Sequence, residues 1–202
     1  MRGLRHMPDV LPPVTLEGAH VRLVPLAHDH LDALAAVGLD GDLWRLSPAP
    51  VRSREDMATY IQTALDGHAR GEALPFATVD KASGTVVGST RFGNIVLAHR
   101  RVEIGWTWIA RPWQRTAINT EAKLLMLRHA FGPLACGRVE LKTDALNERS
   151  RNAMLRIGAR EEGTLRKHMV TASGRIRDTV YFSITDDEWP DVEAGLLAKL
   201  DR

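Results

Sequence analysis

The chain has 202 residues, 44% of them apolar and 26% charged, proportions that fit a soluble globular protein of one ordinary domain with a buried core. A net charge of only +2 gives no support to nucleic-acid binding through bulk electrostatics. One cysteine excludes an internal disulfide framework, and the absence of a signal-type or membrane-spanning apolar run leads us to expect a cytoplasmic protein without membrane contact.

Residues 1–14 are rich in proline and read as a flexible arm ahead of a single domain over 15–202. "HVRLVPL" alternates and predicts a first strand. "HDHLDALAAVG" predicts a short helix that Gly38 closes in the C′ role. His28 and His30 at its start have no carboxylate or cysteine at ligand spacing, so no metal is expected. "LDGDLWRLSPAPVR" reads as a loop. Ser53, with Asp56 three residues on, predicts a capped helix to about Arg70. Three strand signals follow: "LPFATVD", "GTVVGSTRFGNI" and "RVEIGWTWIA". After a polar loop come a helix over roughly 119–132, the strand "RVELKTDA" and the helix "NERSRNAMLRIG", closed by Gly158. Two strands around "TASGR" and a helix after "DDEW" complete an α/β sandwich with a mixed sheet. Cys136 falls between a helix end and a strand and reads as a small buried filler rather than a nucleophile.

The polar loop is the informative part. In "RPWQRTAINTEAKL", positions 111–124, a strand breaks directly into a helix for which Asn119 is the expected N-cap. Such a turn aims backbone N–H groups and the positive end of a helix dipole at one point, which attracts anions. It has neither the lysine of a P-loop nor the glycine spacing of a dinucleotide fold. The basic residues are nearly all arginine, a side chain suited to phosphate or carboxylate, although genome composition would produce the same bias.

Two blocks, "VEIGWTWIARPWQRTAINTEAKLLMLRHAF" and "GRVELKTDALNERSRNAMLRIGAREEGTLR", resemble the GNAT superfamily of acyl-CoA-dependent N-acyltransferases. The branch they most resemble contains the ribosomal-protein N-terminal acetyltransferases. The likeness runs over roughly 17–185 and is tightest over 101–166. The family's Q/R-x-x-G-x-G/A turn corresponds to Gln114-Arg115-Thr116-Ala117-Ile118-Asn119, with alanine at the middle glycine and asparagine at the last small residue. Asn147, Ser150 and Gly158, the last lying eleven residues past Asn147, match the family's spacing on its next helix. The resemblance implies a mainly antiparallel sheet with helices on both faces, acetyl-CoA as co-substrate and a primary amine as acceptor. The acceptor is a protein N-terminus or a small amine, with no nucleic acid and a possible homodimer. A succinyl-type acyl group, or a non-catalytic acyl-CoA-binding module, is the alternative on the same scaffold.

It also implies roles. Trp108, Ile109, Gln114, Arg115, Thr116, Ala117, Ile118, Asn119 and Thr120 would face coenzyme A, together with Asn147, Arg149 and Ser150. Trp44 and Arg45 would help shape the acceptor site. Acyl transfer from a thioester to an amine needs a base for the ammonium and an acid for the leaving thiolate. Glu103 is the candidate base. The period of two puts Glu103, Gly105 and Thr107 on one face of their strand, and Val102, Ile104, Trp106 and Trp108 on the other. An exposed carboxylate paired with Arg100 or Arg101 is the plain alternative. Ser150 fits the acid role, since the tyrosine used by many relatives seven residues past the asparagine is Met154 here. Asn147 and Ser150 would otherwise serve only as helix caps. The two tryptophans of "GWTWI" fit core or pocket wall better than cofactor stacking.

Overall fold

A computed structural model describes residues 10–201. Eight strands form one sheet: β1 (Leu16–Glu17), β2 (Val21–Pro25), β3 (Leu74–Asp80), β4 (Val86–Val96), β5 (Arg101–Ile109), β6 (Arg138–Asp144), β7 (Arg160–Val170) and β8 (Ile176–Thr185). Their order is β1-β2-β3-β4-β5-β6-β8-β7. Neighbours are antiparallel except β5 and β6. Those two are joined through α4 (Ala117–Phe131), the crossover that a parallel pair requires. The other helices are α1 (Leu31–Gly38), α2 (Gly41–Trp44), α3 (Arg54–Ala69), α5 (Glu148–Arg156) and α6 (Trp189–Leu200). This is the expected mixed, mainly antiparallel sandwich. Among the described residues, no helix is long and apolar enough to cross a membrane.

Each face of the sheet has its own apolar cluster. Val102, Ile104, Val139, Leu141, Val180 and Phe182 pack with Ile118, Met126 and Leu127 of α4 and with Leu196 of α6. On the other face Leu34, Met57, Ile61 and Ala64 of α1 and α3 pack with Trp44, Ala77 and Trp108. Glu121 ties α4 to the start of the sheet. Its buried carboxylate accepts hydrogen bonds from the backbone N–H groups of Ala19, His20 and Val21, each at 2.7 Å.

Four local expectations change. Residues 1–9 of the arm lie outside the described residues, while Leu11 is buried in the core and its carbonyl meets His68 Nε2 at 2.8 Å. The loop after α1 contains the short helix α2, capped by Asp40, whose carboxylate accepts from Asp42 N–H. Gly38 is the last residue of α1 and takes no left-handed conformation. It is required there because a Cβ would stand 2.6 Å from the Trp108 ring. Gly158 does close α5 in the left-handed region, with φ of +94°.

The fourth change concerns β5. Pairing with β4 slips between Ser89 and Arg91, so that Trp106 and Thr107 together oppose Thr90, a β-bulge with Trp106 at φ +50°. From Trp106 onward the faces are exchanged relative to strict alternation. Trp106 emerges on the Glu103 face, Thr107 turns toward α4, where it meets Lys123, and Trp108 packs under α1 and α3.

Candidate active site

The sequence between β5 and α4 builds the expected strand-to-helix turn, with different residues in the key positions. A short 3₁₀ turn over Arg111–Trp113 leaves the strand, Gln114 is extended and Arg115 takes a left-handed φ of +62°. Thr116, not Asn119, is the N-cap of α4. Its hydroxyl accepts from Ile118 N–H at 3.3 Å and donates to Trp113 C=O at 2.7 Å. Asn119 is the third helical residue, within the first turn, because an extended threonine competes well for the cap. Ala117 is the first helical residue and needs no positive φ, so the alanine costs nothing there. Arg115, Thr116, Ala117 and Asn119 donate no backbone hydrogen bond to any described residue. These are the free donors of a helix start.

Arginines frame the turn. A cleft of about 310 Å³ is lined by Asp42, Arg111, Gln114, Arg115 and Arg149. Gln114 braces it by donating from Nε2 to Ile109 C=O at 2.8 Å. Arg111 is held by Asp40 at 2.9 Å and Asp42 at 3.4 Å, and Arg149 approaches Asp42 at 3.8 Å. The structure therefore brings Gln114 and Arg115 together with Arg149 from α5, a juxtaposition suited to a polyanion. Ile118 and Thr120 do not share in it. Ile118 is core, and the buried Thr120 accepts from Arg156 at 3.2 Å.

Asn147 caps α5, accepting from Ser150 N–H at 3.1 Å, so the capping role of this pair is real. The Ser150 hydroxyl makes no hydrogen bond to any other described residue. Trp44 and Trp108 lie in the core, 5.5 Å apart between ring centroids, and Trp44 Nε1 donates to Gly38 C=O at 2.7 Å. Trp44 therefore anchors the wall rather than facing an acceptor. Arg45 is exposed and, among the described residues, pairs only with Asp42, at 3.6 Å. Ile109 belongs to the core.

Glu103 is buried, 2% exposed, and neither Arg100 nor Arg101 is its partner. Oε2 accepts from Asn94 Nδ2 at 2.6 Å and pairs with Lys142 Nζ at 2.9 Å. Oε1 has no hydrogen-bond partner among the described residues and leans over Gly105, where a Cβ would stand 2.8 Å away. Glu103 also stands at a fork. β5 pairs with β6 only over Arg101–Glu103 against Arg138–Glu140, and from Ile104 onward the strands part. A second cleft of about 430 Å³, lined by Glu72, Asn94, Ile95, Val96, Arg101, Glu140 and Tyr181, adjoins Glu103 through Asn94. Asn94 and Lys142, the partners of Glu103, gave no signal in the sequence because they come from the two flanking strands.

Two further titratable groups complete the electrostatics. Lys123 on α4 is buried with no carboxylate partner among the described residues, and desolvation pulls its ammonium down to about 7. It donates to Thr107 Oγ1 at 2.8 Å, beside the bulge. Burial pushes the Cys136 thiol up to about 11, which leaves it an inert filler.

Comparison with known proteins points to one family. A family model for the acetyltransferase (GNAT) domain matches residues 20–160. Bacillus subtilis (strain 168) YdaF, named for ribosomal N-acetyltransferase activity, is 34% identical over 106 residues, which is 52% of this chain and 57% of YdaF. The chain thus spans little more than half the length of that relative. A GCN5-related N-acetyltransferase from Brucella melitensis superposes with a TM-score of 0.85 at 33% identity, over 96% of this chain and 87% of the other. Mycobacterium smegmatis RimJ, solved in complex with CoA-disulfide, gives 0.78 at 25% identity, over 93% and 95%. With the turn into α4, the forked strands and a family match over most of its length, the chain belongs to the GNAT family of acetyltransferases.

Proposed function

We propose that this protein transfers an acyl group, in the first place acetyl, from acyl-CoA to a primary amine by direct attack on the thioester. The observation that carries the reading is the fork beyond Glu103, set beside a helix start with free N–H groups and an arginine frame. The pyrophosphate of coenzyme A sits on the turn from Arg115 to Asn119, with Arg149 alongside. The pantetheine arm runs into the fork along the unpaired edge of β5. The acceptor nitrogen forms its bond to the acyl carbon while the carbon–sulfur bond breaks. The ammonium proton goes to Glu103 Oε1, and the Ser150 hydroxyl serves the departing sulfur, with Asn147 near the pantetheine.

Lys142 and Asn94 hold the Glu103 carboxylate in place, and the transfer is easiest for an acceptor that asks little of its base. An α-amine, with a pKa of about 7.7–8.0 against about 10.4 for lysine, is such an acceptor. A protein N-terminus or a small α-amine in the cytoplasm therefore leads. The exposed edge strand β7 supplies a surface for self-association.

The test is thiol release from acetyl-CoA against a panel of peptide N-termini, amino acids and small amines. Amine-dependent release is expected. Binding of coenzyme A without release for any amine would favour a regulatory acyl-CoA-binding module instead. No rise in melting temperature with millimolar coenzyme A would remove the acyl-CoA reading altogether.

A further inference from the structure

One buried charge has nothing to do in the scheme above. Arg91, on β4, is 5% exposed. Among the buried charged side chains, Glu103 has Lys142 and Asn94, Glu121 has three backbone amides, Asp144 has Arg175, Lys123 has Thr107, and Arg177 has Thr179 at 3.1 Å and Asp144 at 3.9 Å. Arg91 makes no hydrogen bond and no ion pair with any described residue, and its Nε is fully buried without an acceptor. A guanidinium this deeply buried, with its Nε sealed from water and no acceptor, is costly, and an anion at its terminal nitrogens would offset that cost.

The surroundings orient it. The guanidinium lies between two aromatic rings, with its carbon 5.1 Å from the Tyr60 centroid and 4.8 Å from the Trp106 centroid. Tyr60 is fixed in turn by its hydroxyl, 3.2 Å from both Ser89 Oγ and Trp106 C=O. Such stacking holds the plane of an arginine while leaving its edge donors for a ligand. Lys142, the partner of Glu103, approaches the same indole, at 5.9 Å.

Strand register relates Arg91 to the candidate base. Arg91 opposes Gly105, and Glu103 opposes Gly93. Directly opposed residues point to one face, so Arg91 and Glu103 are diagonal neighbours on that face, about 7–8 Å apart. Both positions between them are glycine, and no side chain from either strand fills the interval except the Trp106 ring above Gly93. This is the face on which α1 and α3 pack, opposite the one covered by α4.

We propose that Arg91 binds a carboxylate carried by the acceptor, so that the acceptor is a free amino acid whose amine is delivered to Glu103. The inference rests on the acyltransferase reading and narrows it. A carboxylate at the end of an acidic acyl group is the other source of the same chemistry.

The experiment compares free L-amino acids with their carboxamides as acceptors of acetyl from acetyl-CoA, in wild type, Arg91→Gln and Arg91→Lys. A preference for acid over amide of roughly tenfold or more in kcat/KM is expected, because the amide leaves the buried fork unpaired. In Arg91→Gln that preference should fall to within about twofold, and Arg91→Lys should keep part of it as a charge without the fork. Equal rates for acid and amide in wild type, which needs no variant to fold, would overturn the proposal. So would an unchanged preference in Arg91→Gln. A preference for succinyl-CoA over acetyl-CoA that Arg91→Gln abolishes, with no acid-over-amide preference, would move the carboxylate to the acyl group and refute the acceptor assignment. Should no amine release thiol, the acyltransferase reading fails by itself. Calorimetry with N-acetyl amino acids against N-acetyl amino-acid amides then decides Arg91 separately. Tighter binding of the acid that Arg91→Gln removes supports it, and equal binding refutes it.

Discussion

The turn from Arg111 to Asn119 and the bulged half of β5 belong to one strand-to-helix unit, yet they are built in different ways. The turn is made by consecutive residues: a 3₁₀ step, a left-handed arginine and a threonine cap, with free N–H groups as the product. The region around Glu103 is assembled across elements. Asn94 comes from β4, Lys142 from β6, Tyr60 from α3 and Trp106 from the far side of a bulge. Backbone donors tolerate changes of side chain, so Ala117 and Asn119 leave the turn and its free N–H groups intact. A side-chain constellation has no such latitude. Function should therefore be more sensitive on the β5 side than at the turn.

The largest effect is expected from Glu103→Gln, which keeps shape and hydrogen bonding but accepts no proton. Turnover in the thiol-release assay should fall by about 10²–10⁴. Coenzyme A affinity should stay the same by calorimetry. Full activity at every pH would take Glu103 out of the chemistry and make Ser150→Ala the next variant to measure.

Lys123 joins the two regions, reaching from α4 to Thr107, and its charge reports on how dry that junction is. Its ammonium titrates at about 7 when folded, against about 10.4 unfolded. Between those values the unfolded chain holds a proton that the folded one lacks, so stability should climb as pH rises from about 7 to about 10.4. Below about 7 both states are charged and the burial penalty is present in full. Urea denaturation at several pH values should show wild type gaining on the order of a few kcal/mol over Lys123→Met across that window. Parallel curves for the two proteins would mean that water reaches the amine.

At the turn, Asn119→Pro removes one first-turn N–H in a place where proline is sterically tolerated. The dissociation constant of coenzyme A should rise about tenfold, or about 1.4 kcal/mol, with the far-UV spectrum unchanged. An unaltered constant would put the phosphates elsewhere. The smallest effect is expected from Arg115→Gly, which relieves a left-handed residue and deletes a cation. Melting should show a gain within about 1 kcal/mol, while coenzyme A binding weakens slightly. A loss of stability would show that the Arg115 side chain, rather than the turn's conformation, holds this segment.

Legibility in the sequence follows the same division. The capping box of Ser53 and Asp56, the strand "LPFATVD" and the close of α5 at Gly158 depend on near neighbours, and the structure has them as read. The N-cap of α4 was misplaced by three residues because Thr116 and Asn119 are both good caps and only the path of the preceding turn chooses between them. Trp44 read as a site residue because a loop tryptophan is ambiguous until its packing partners are known. Those partners, Tyr60 and Trp108, come from other elements.

Local order along this chain was thus decided by the sequence: the alternation of strands and helices, the strand that breaks into α4 and the presence of a carboxylate on β5. These depend on propensities and spacings within a few residues. The tertiary structure alone decided which way the second half of β5 faces, since a bulge shifts every later side chain to the opposite side and only the β4 register reveals it. It alone paired Glu103 with Lys142 rather than with the adjacent arginines, and left Arg91 buried between two rings without an acceptor. Burial and charge compensation are sums over residues far apart in the chain, and no local pattern encodes them.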